Sequence, residues 1–86
     1  MDEEKTIKVL LLSNQEIVVS EIEEIACEIG DPNCKLTKPY KIEGGALHKW
    51  MQDYTEQNEI MINSDKIITL VTPSPMIFEQ YSKVTS

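Results

Sequence analysis

The chain has 86 residues, 41% hydrophobic and 27% charged, with a formal net charge of −7, a balance that excludes the disordered class and predicts one soluble domain over residues 1–86. All eight basic residues are lysine, so guanidinium forks for phosphate or guanine are excluded, and the acidic balance excludes broad attraction to nucleic acid or anionic membranes. No apolar run approaches the roughly 20 residues of a membrane span, and the acidic start Met1-Asp2-Glu3-Glu4 is unlike a signal peptide, so a cytoplasmic location is expected.

Taken in chain order, Thr6 to Leu12 reads as a strand of branched apolar residues, and Ser13-Asn14-Gln15 as a tight hairpin turn. From Glu16 two periods compete. Val18, Ile22, Ile25 and Ile29 recur at helical spacing, whereas Val18-Val19 and the alternation Glu21-Ile22-Glu23 favour a strand. The expectation adopted is a long bent strand from Glu16 to about Glu28.

Asp31-Pro32-Asn33 is turn chemistry, and Lys35 to Glu43 reads as an irregular or edge strand because Pro39 cannot donate to a ladder. Gly44-Gly45 makes a second turn. Ala46 to Tyr54 is a weaker strand candidate anchored on Trp50, followed by a polar loop at residues 55–58. Glu59 to Ile62, the turn Asn63-Ser64-Asp65 and Lys66 to Val71 form the clearest strand, turn, strand unit. Ser74 then serves as N-cap with Pro75 at the first helical position, and Ile77, Tyr81 and Val84 share a face, which predicts a helix from Pro75 to about Lys83.

Catalytic chemistry finds little support. His48 is the only histidine, and no sequence feature activates Cys27 or Cys34 beside it. The two cysteines are expected to be thiols in a reducing compartment, although facing positions on a hairpin would bring them within bonding range. Zinc lacks a close ligand pair, Gly44-Gly45 lacks any phosphate-binding pattern, and Glu21, Glu23 and Glu24 lack the order of a calcium loop. No cofactor or metal is expected, and the chain does not read as an enzyme. Lys35, Lys38, Tyr40, Lys41, Lys49 and Trp50 interleave cations with stacking faces, as in grooves for single-stranded nucleic acid. The bland alternative puts the lysines in solvent and the aromatic rings in the core.

A chain this short is marginally stable alone, and with disulfide and metal poorly provided for, self-association is the expected support. The segment Lys8 to Ile22 and the segment Ile62-Asn63-Ser64-Asp65-Lys66-Ile67-Ile68 together resemble the two motifs of the Sm-like family. The resemblance is closest to small Sm-like proteins encoded by tailed phages, through Lys35 to Tyr40, Trp50, Ser64 to Ile67, and Pro73 through Ile77 or Phe78 to Tyr81. It implies a mainly β fold, a strongly bent five-stranded antiparallel sheet forming a small open barrel, with the helix here C-terminal where the family usually has it N-terminal.

The resemblance further implies a homo-oligomeric ring of five to seven subunits, closed when the fourth strand of one copy pairs with the fifth of the next, in the host cytoplasm if phage-encoded. Ile60, Ile62, Ile67, Ile68, Thr69, Leu70 and Val71 would form that edge. It also implies binding of uridine- or adenine-rich single-stranded RNA at the hinge, by Asn63, Asp65 and Lys66, with Lys35, Lys38 and Tyr40 as auxiliary contacts. Asn63 and Ser64 stand where the family has arginine and glycine, and Asp31-Pro32-Asn33 does not keep the spacing of its second RNA-binding loop. The competing expectation is an acidic oligomeric adaptor that binds protein.

Overall fold

The computed structural model describes residues 6–25 and 28–85. The chain is mainly β, with strands β1 (Ile7–Leu12), β2 (Ile17–Glu24), β3 (Cys34–Glu43), β4 (Ala46–Lys49), β5 (Glu59–Ile62) and β6 (Ile67–Val71). A 3-10 turn at Ser64–Lys66 joins β5 to β6, and the last element among the described residues is a helix, α1 (Pro75–Thr85). All strand pairs are antiparallel, in the order β4-β3-β2-β1-β6, with β5 also on β3. Among the described residues the implied count of five strands becomes six. β4 and β5 both pair with β3, β4 with Tyr40 to Glu43 and β5 with Cys34 to Thr37, so they share its side away from β2.

The two hairpin turns follow the chemistry of their residues. At Ser13-Asn14-Gln15 the Leu12 amide donates to Glu16 O at 2.9 Å and the Gln15 amide to Leu12 O at 2.8 Å. Gln15 adopts φ +72, the left-handed residue that closes a three-residue hairpin. Gly44 and Gly45 both have positive φ between the paired Glu43 and Ala46, a two-residue turn that residues with a Cβ disfavour.

Residues 17–24 are strand, so the helical period of Val18, Ile22 and Ile25 does not express itself; pairing with β1 and β3 on both sides outweighs it. The strand is shorter than the expected span to Glu28. Ile25 still donates to Asn33 O at 2.9 Å, while Ala26 and Cys27, and with them any pairing of Cys27 with Cys34, lie outside the described residues. Cys34 is buried.

Of the two alternatives expected for β3, an irregular or an edge strand, the irregular one holds and β3 lies inside the sheet. It runs unbroken through Pro39 with neighbours on both sides, because Pro39 falls where neither ladder needs its amide. Val19 pairs with Tyr40 and Glu21 with Thr37, so Lys38 and Pro39 together oppose Ser20, a bulge in which Lys38 takes φ +55. On the other side, β5 stops at Thr37 and β4 starts at Tyr40. β4 in turn ends at Lys49 instead of reaching Tyr54. Met51 has φ +62 with no partner strand among the described residues to hold it in a bulge, and its carbonyl accepts from the Tyr54 and Thr55 amides to form a turn.

Alternation separates two faces. Leu10, Leu12, Val18 and Leu36 form the buried cluster on one, with Ile22, Trp50, Ile62 and Ile67 packed against it. Val9, Val19 and Tyr40 are in register with one another and point to the other face. The Tyr40 ring meets Tyr81 of α1 edge-on at 6.0 Å, so α1 covers this face. The helix begins as expected, with the Ile77 amide donating to Ser74 Oγ at 3.2 Å, and it runs two residues beyond Lys83.

Tyr81 is 1% exposed, and its hydroxyl fills the break between β2 and β3. It accepts from the Glu21 amide at 3.2 Å and donates towards Lys38 O at 2.8 Å, with Thr37 O at 3.1 Å. Ser20, also fully buried, turns its hydroxyl to Glu21 O at 2.8 Å and Thr37 O at 3.1 Å. The bulge therefore keeps its backbone groups partnered by side chains, as burial demands. Among the described residues no helix is long and apolar enough to cross a membrane.

Candidate nucleic-acid and self-assembly interface

The segment between β5 and β6 is a locally capped corner. Asn63 is extended, and its Oδ1 accepts from the Asp65 amide at 3.0 Å, the short side chain doing at a 3-10 turn what it does at a helix N-cap. The Lys66 amide returns to Asn63 O at 2.9 Å, and Lys66 O accepts from the Ser13 amide at 2.8 Å. Asp65 and Lys66 point to solvent.

A second loop joins this corner. Asn33 Oδ1 accepts from the Ser64 amide at 2.8 Å, and its Nδ2 donates to Ser64 Oγ at 3.1 Å. The loop before β3, whose spacing gave it no role, thus meets the hinge through a two-point amide contact. Asn33 is the residue that sequence reasoning missed; its only signal was turn chemistry beside Pro32.

The auxiliary cations do not gather at this corner. Lys35, opposite Met61 of β5 and Glu23 of β2, forms an ion pair with Glu23 at 3.5 Å. Lys38 Nζ donates to Thr85 O and the Tyr40 hydroxyl to Val84 O, each at 3.3 Å, so both serve the last turn of α1, where orphan carbonyls need donors. Lys49 Nζ reaches Glu56 O at 3.4 Å.

Lys41 and Trp50 converge on Glu16, whose Oε2 lies 3.2 Å from Lys41 Nζ and whose Oε1 accepts from Asn14 Nδ2 at 2.9 Å and Trp50 Nε1 at 3.2 Å. The Asn14 hydrogen bond, with those of Trp50 and Lys41, holds the Glu16 carboxyl below its ordinary value of 4.5 against a smaller opposing effect of burial. The Lys41 ammonium is raised in turn, first by that hydrogen bond. A carboxyl with a lower pKa folded than unfolded adds stability above its unfolded value and loses it as pH falls through the folded one. Glu16→Gln is therefore expected to flatten the acid limb below about pH 4.5 and to cost less than about 1 kcal/mol at neutral pH, since the pair is partly exposed. Acid titration followed by emission of Trp50, the single tryptophan, reads both.

The expected oligomer edge divides unequally. Ile62 and Ile67 pack on the core and Ile60 is half-buried, whereas Ile68, Thr69, Leu70 and Val71 are exposed. β6 pairs with β1 along one side and β5 with β3 along one side; among the described residues neither has a strand on its other side. Beside β6 an open groove of about 930 Å³ extends to the far end of β2, with Ile22, Ile67 and Leu70 on its walls and Glu23 and Glu24 along its acidic border. Among the described residues no group of three or more His, Cys, Asp or Glu side chains could hold a metal ion.

The chain belongs to DUF6561, a family of unknown function. The family model matches residues 5–86 and so takes in every strand, the hinge and α1. No curated protein matches this DUF6561 chain.

Proposed function

We propose that this DUF6561 chain is a subunit of a homo-oligomeric, Sm-like ring that binds single-stranded RNA at the corner formed by Asn33 and residues 63–66. The observation that carries the reading is the pair of strand edges, one on β5 and one on β6, that flank a single three-residue turn. A strand edge lined by exposed Ile68, Leu70 and Val71 invites pairing. Because the two edges differ, one copy offers β5 to the β6 of the next, a heterologous contact that closes into a ring when the rotation permits.

RNA enters through the corner. Lys66 offers a solvent-facing cation, and Asn63 keeps its amide nitrogen for a base edge while its oxygen caps Asp65. Around a ring these few groups repeat in every copy, which offsets their small number. Fluorescence anisotropy with short uridine-rich and adenine-rich RNA tests this. Binding is expected to weaken as salt rises, and Lys66→Ala to weaken it roughly threefold to tenfold with a shallower salt slope. Absence of salt-sensitive binding at micromolar protein would overturn the RNA half of the proposal.

One observation favours a second reading, an acidic oligomeric adaptor for a protein. Lys35, Lys38, Lys41 and Lys49 are each engaged within the chain, so the interleaved cations and rings do not offer an open stacking strip. A pull-down recovering a stoichiometric protein and no nuclease-sensitive material selects this reading.

A further inference from the structure

Lys38 connects two parts of the fold that have no direct bond to one another among the described contacts. Its backbone amide donates to Asn58 O at 2.6 Å, the residue that leads into β5. Its carbonyl accepts from the Tyr81 hydroxyl at 2.8 Å, and its Nζ donates to Thr85 O at 3.3 Å. The neighbouring Thr37 pairs with Glu59, the first residue of β5. The helix and the start of β5 therefore hold the carbonyl and the amide of the same residue.

That residue is conformationally disfavoured. Lys38 has φ +55, a left-handed backbone that a residue with a Cβ adopts only when its surroundings impose it. Two of the three contacts that impose it come from α1. β5 has only four residues and pairs with no described strand but β3, so its position follows the backbone of Thr37 and Lys38. If the Tyr81 hydroxyl is withdrawn, Lys38 can relax towards negative φ, and its amide turns away from Asn58.

We infer that α1, acting through Tyr81 and Lys38, positions the free edge of β5, so that helix docking controls whether this edge is presented for pairing. Tyr81 is thus a positioning residue for the β5 edge as well as a core residue. The consequence for assembly rests on the ring reading above; the coupling between α1 and β5 does not.

Hydrogen exchange separates the two. In Tyr81→Phe the amides of residues 58–62 are expected to exchange about tenfold faster than in the wild type, the size expected for losing one buried hydrogen bond, after correction for the change common to β1, β2 and β4. An equal acceleration across the whole sheet, or none in residues 58–62, overturns the coupling. Tyr40→Phe, which removes only the bond to Val84 O at the helix end, leaves the core in place and keeps the test available if Tyr81→Phe fails to fold. It should accelerate the same amides about twofold to threefold, and unchanged exchange there counts against the coupling. Sedimentation of the same samples reads assembly. A monomeric wild type overturns the ring reading, and the exchange data still decide the coupling.

Discussion

Tyr81→Phe is expected to lower stability by about 2–3 kcal/mol, because one oxygen serves several backbone groups in a site that water does not reach. Without the hydroxyl the Glu21 amide and Lys38 carbonyl lose this partner, whereas Thr37 O keeps the Ser20 hydroxyl. The ring itself remains, so there is little cavity cost, and the loss measures the polar contacts. For a domain of this size it corresponds to a fall in Tm of roughly 8–20 °C, checked by a thermal melt followed by circular dichroism. The same substitution tests alkaline behaviour. Burial, the largest influence, pushes the Tyr81 phenol up to about 12 from an ordinary value of 10. Its folded pKa exceeds its unfolded one, so its contribution is complete below pH 10 and is lost as pH rises from 10 to 12. The phenylalanine variant lacks this component of the alkaline loss.

The second large effect concerns assembly. Ile68→Lys combined with Leu70→Lys is expected to convert an oligomeric wild type to monomer at micromolar concentration, with the circular dichroism spectrum unchanged. Ile68 is 62% exposed and Leu70 46%, and neither belongs to the buried cluster, so the isolated fold tolerates both lysines. In a paired edge the ammonium groups would lie against the side chains of the neighbouring strand and lose water, costing several kcal/mol, or about a thousandfold in affinity. Sedimentation velocity on both proteins decides the matter. A wild type that is already a monomer would sink the ring proposal, and an unimpaired double variant would move the interface off β6.

Much of the fold was legible in local chemistry. Branched residues marked β1, β5 and β6, Ser13-Asn14-Gln15 and Gly44-Gly45 marked turns, and Ser74-Pro75 marked the helix start. Where local signals conflicted or fell short, partners distant in the chain decided at β2 and Pro39, and a local turn decided at Met51. The helical spacing of Val18, Ile22 and Ile25 was a real local signal that pairing on two sides suppressed. Pro39 argued for an irregular or edge strand, and the irregular alternative holds: a bulge against Ser20 and a change of partner strand give it an interior place. Met51 ended β4 early through a backbone conformation that its side chain does not advertise.

The site was less legible than the fold. Asn63, Asp65 and Lys66 do lie on one corner, as a contiguous turn must. Asn33 joins them across the fold by an amide contact that spacing rules do not foresee. Lys38 and Tyr40 carried the right chemistry for stacking and charge, but the uncapped carbonyls of α1 took them.

The pairing of Leu10 with Leu70 also sets an order of events in folding. The β1–β2 and β3–β4 hairpins close short loops and can form within microseconds, whereas docking β6 on β1 joins strands far apart in the sequence and waits on a slow search. A nascent chain on the ribosome therefore holds β1 with one side unpaired until residue 71 has emerged. During synthesis, mispairing with another nascent copy competes with correct closure, and slow translation of the stretch that encodes β6 would lengthen that exposure.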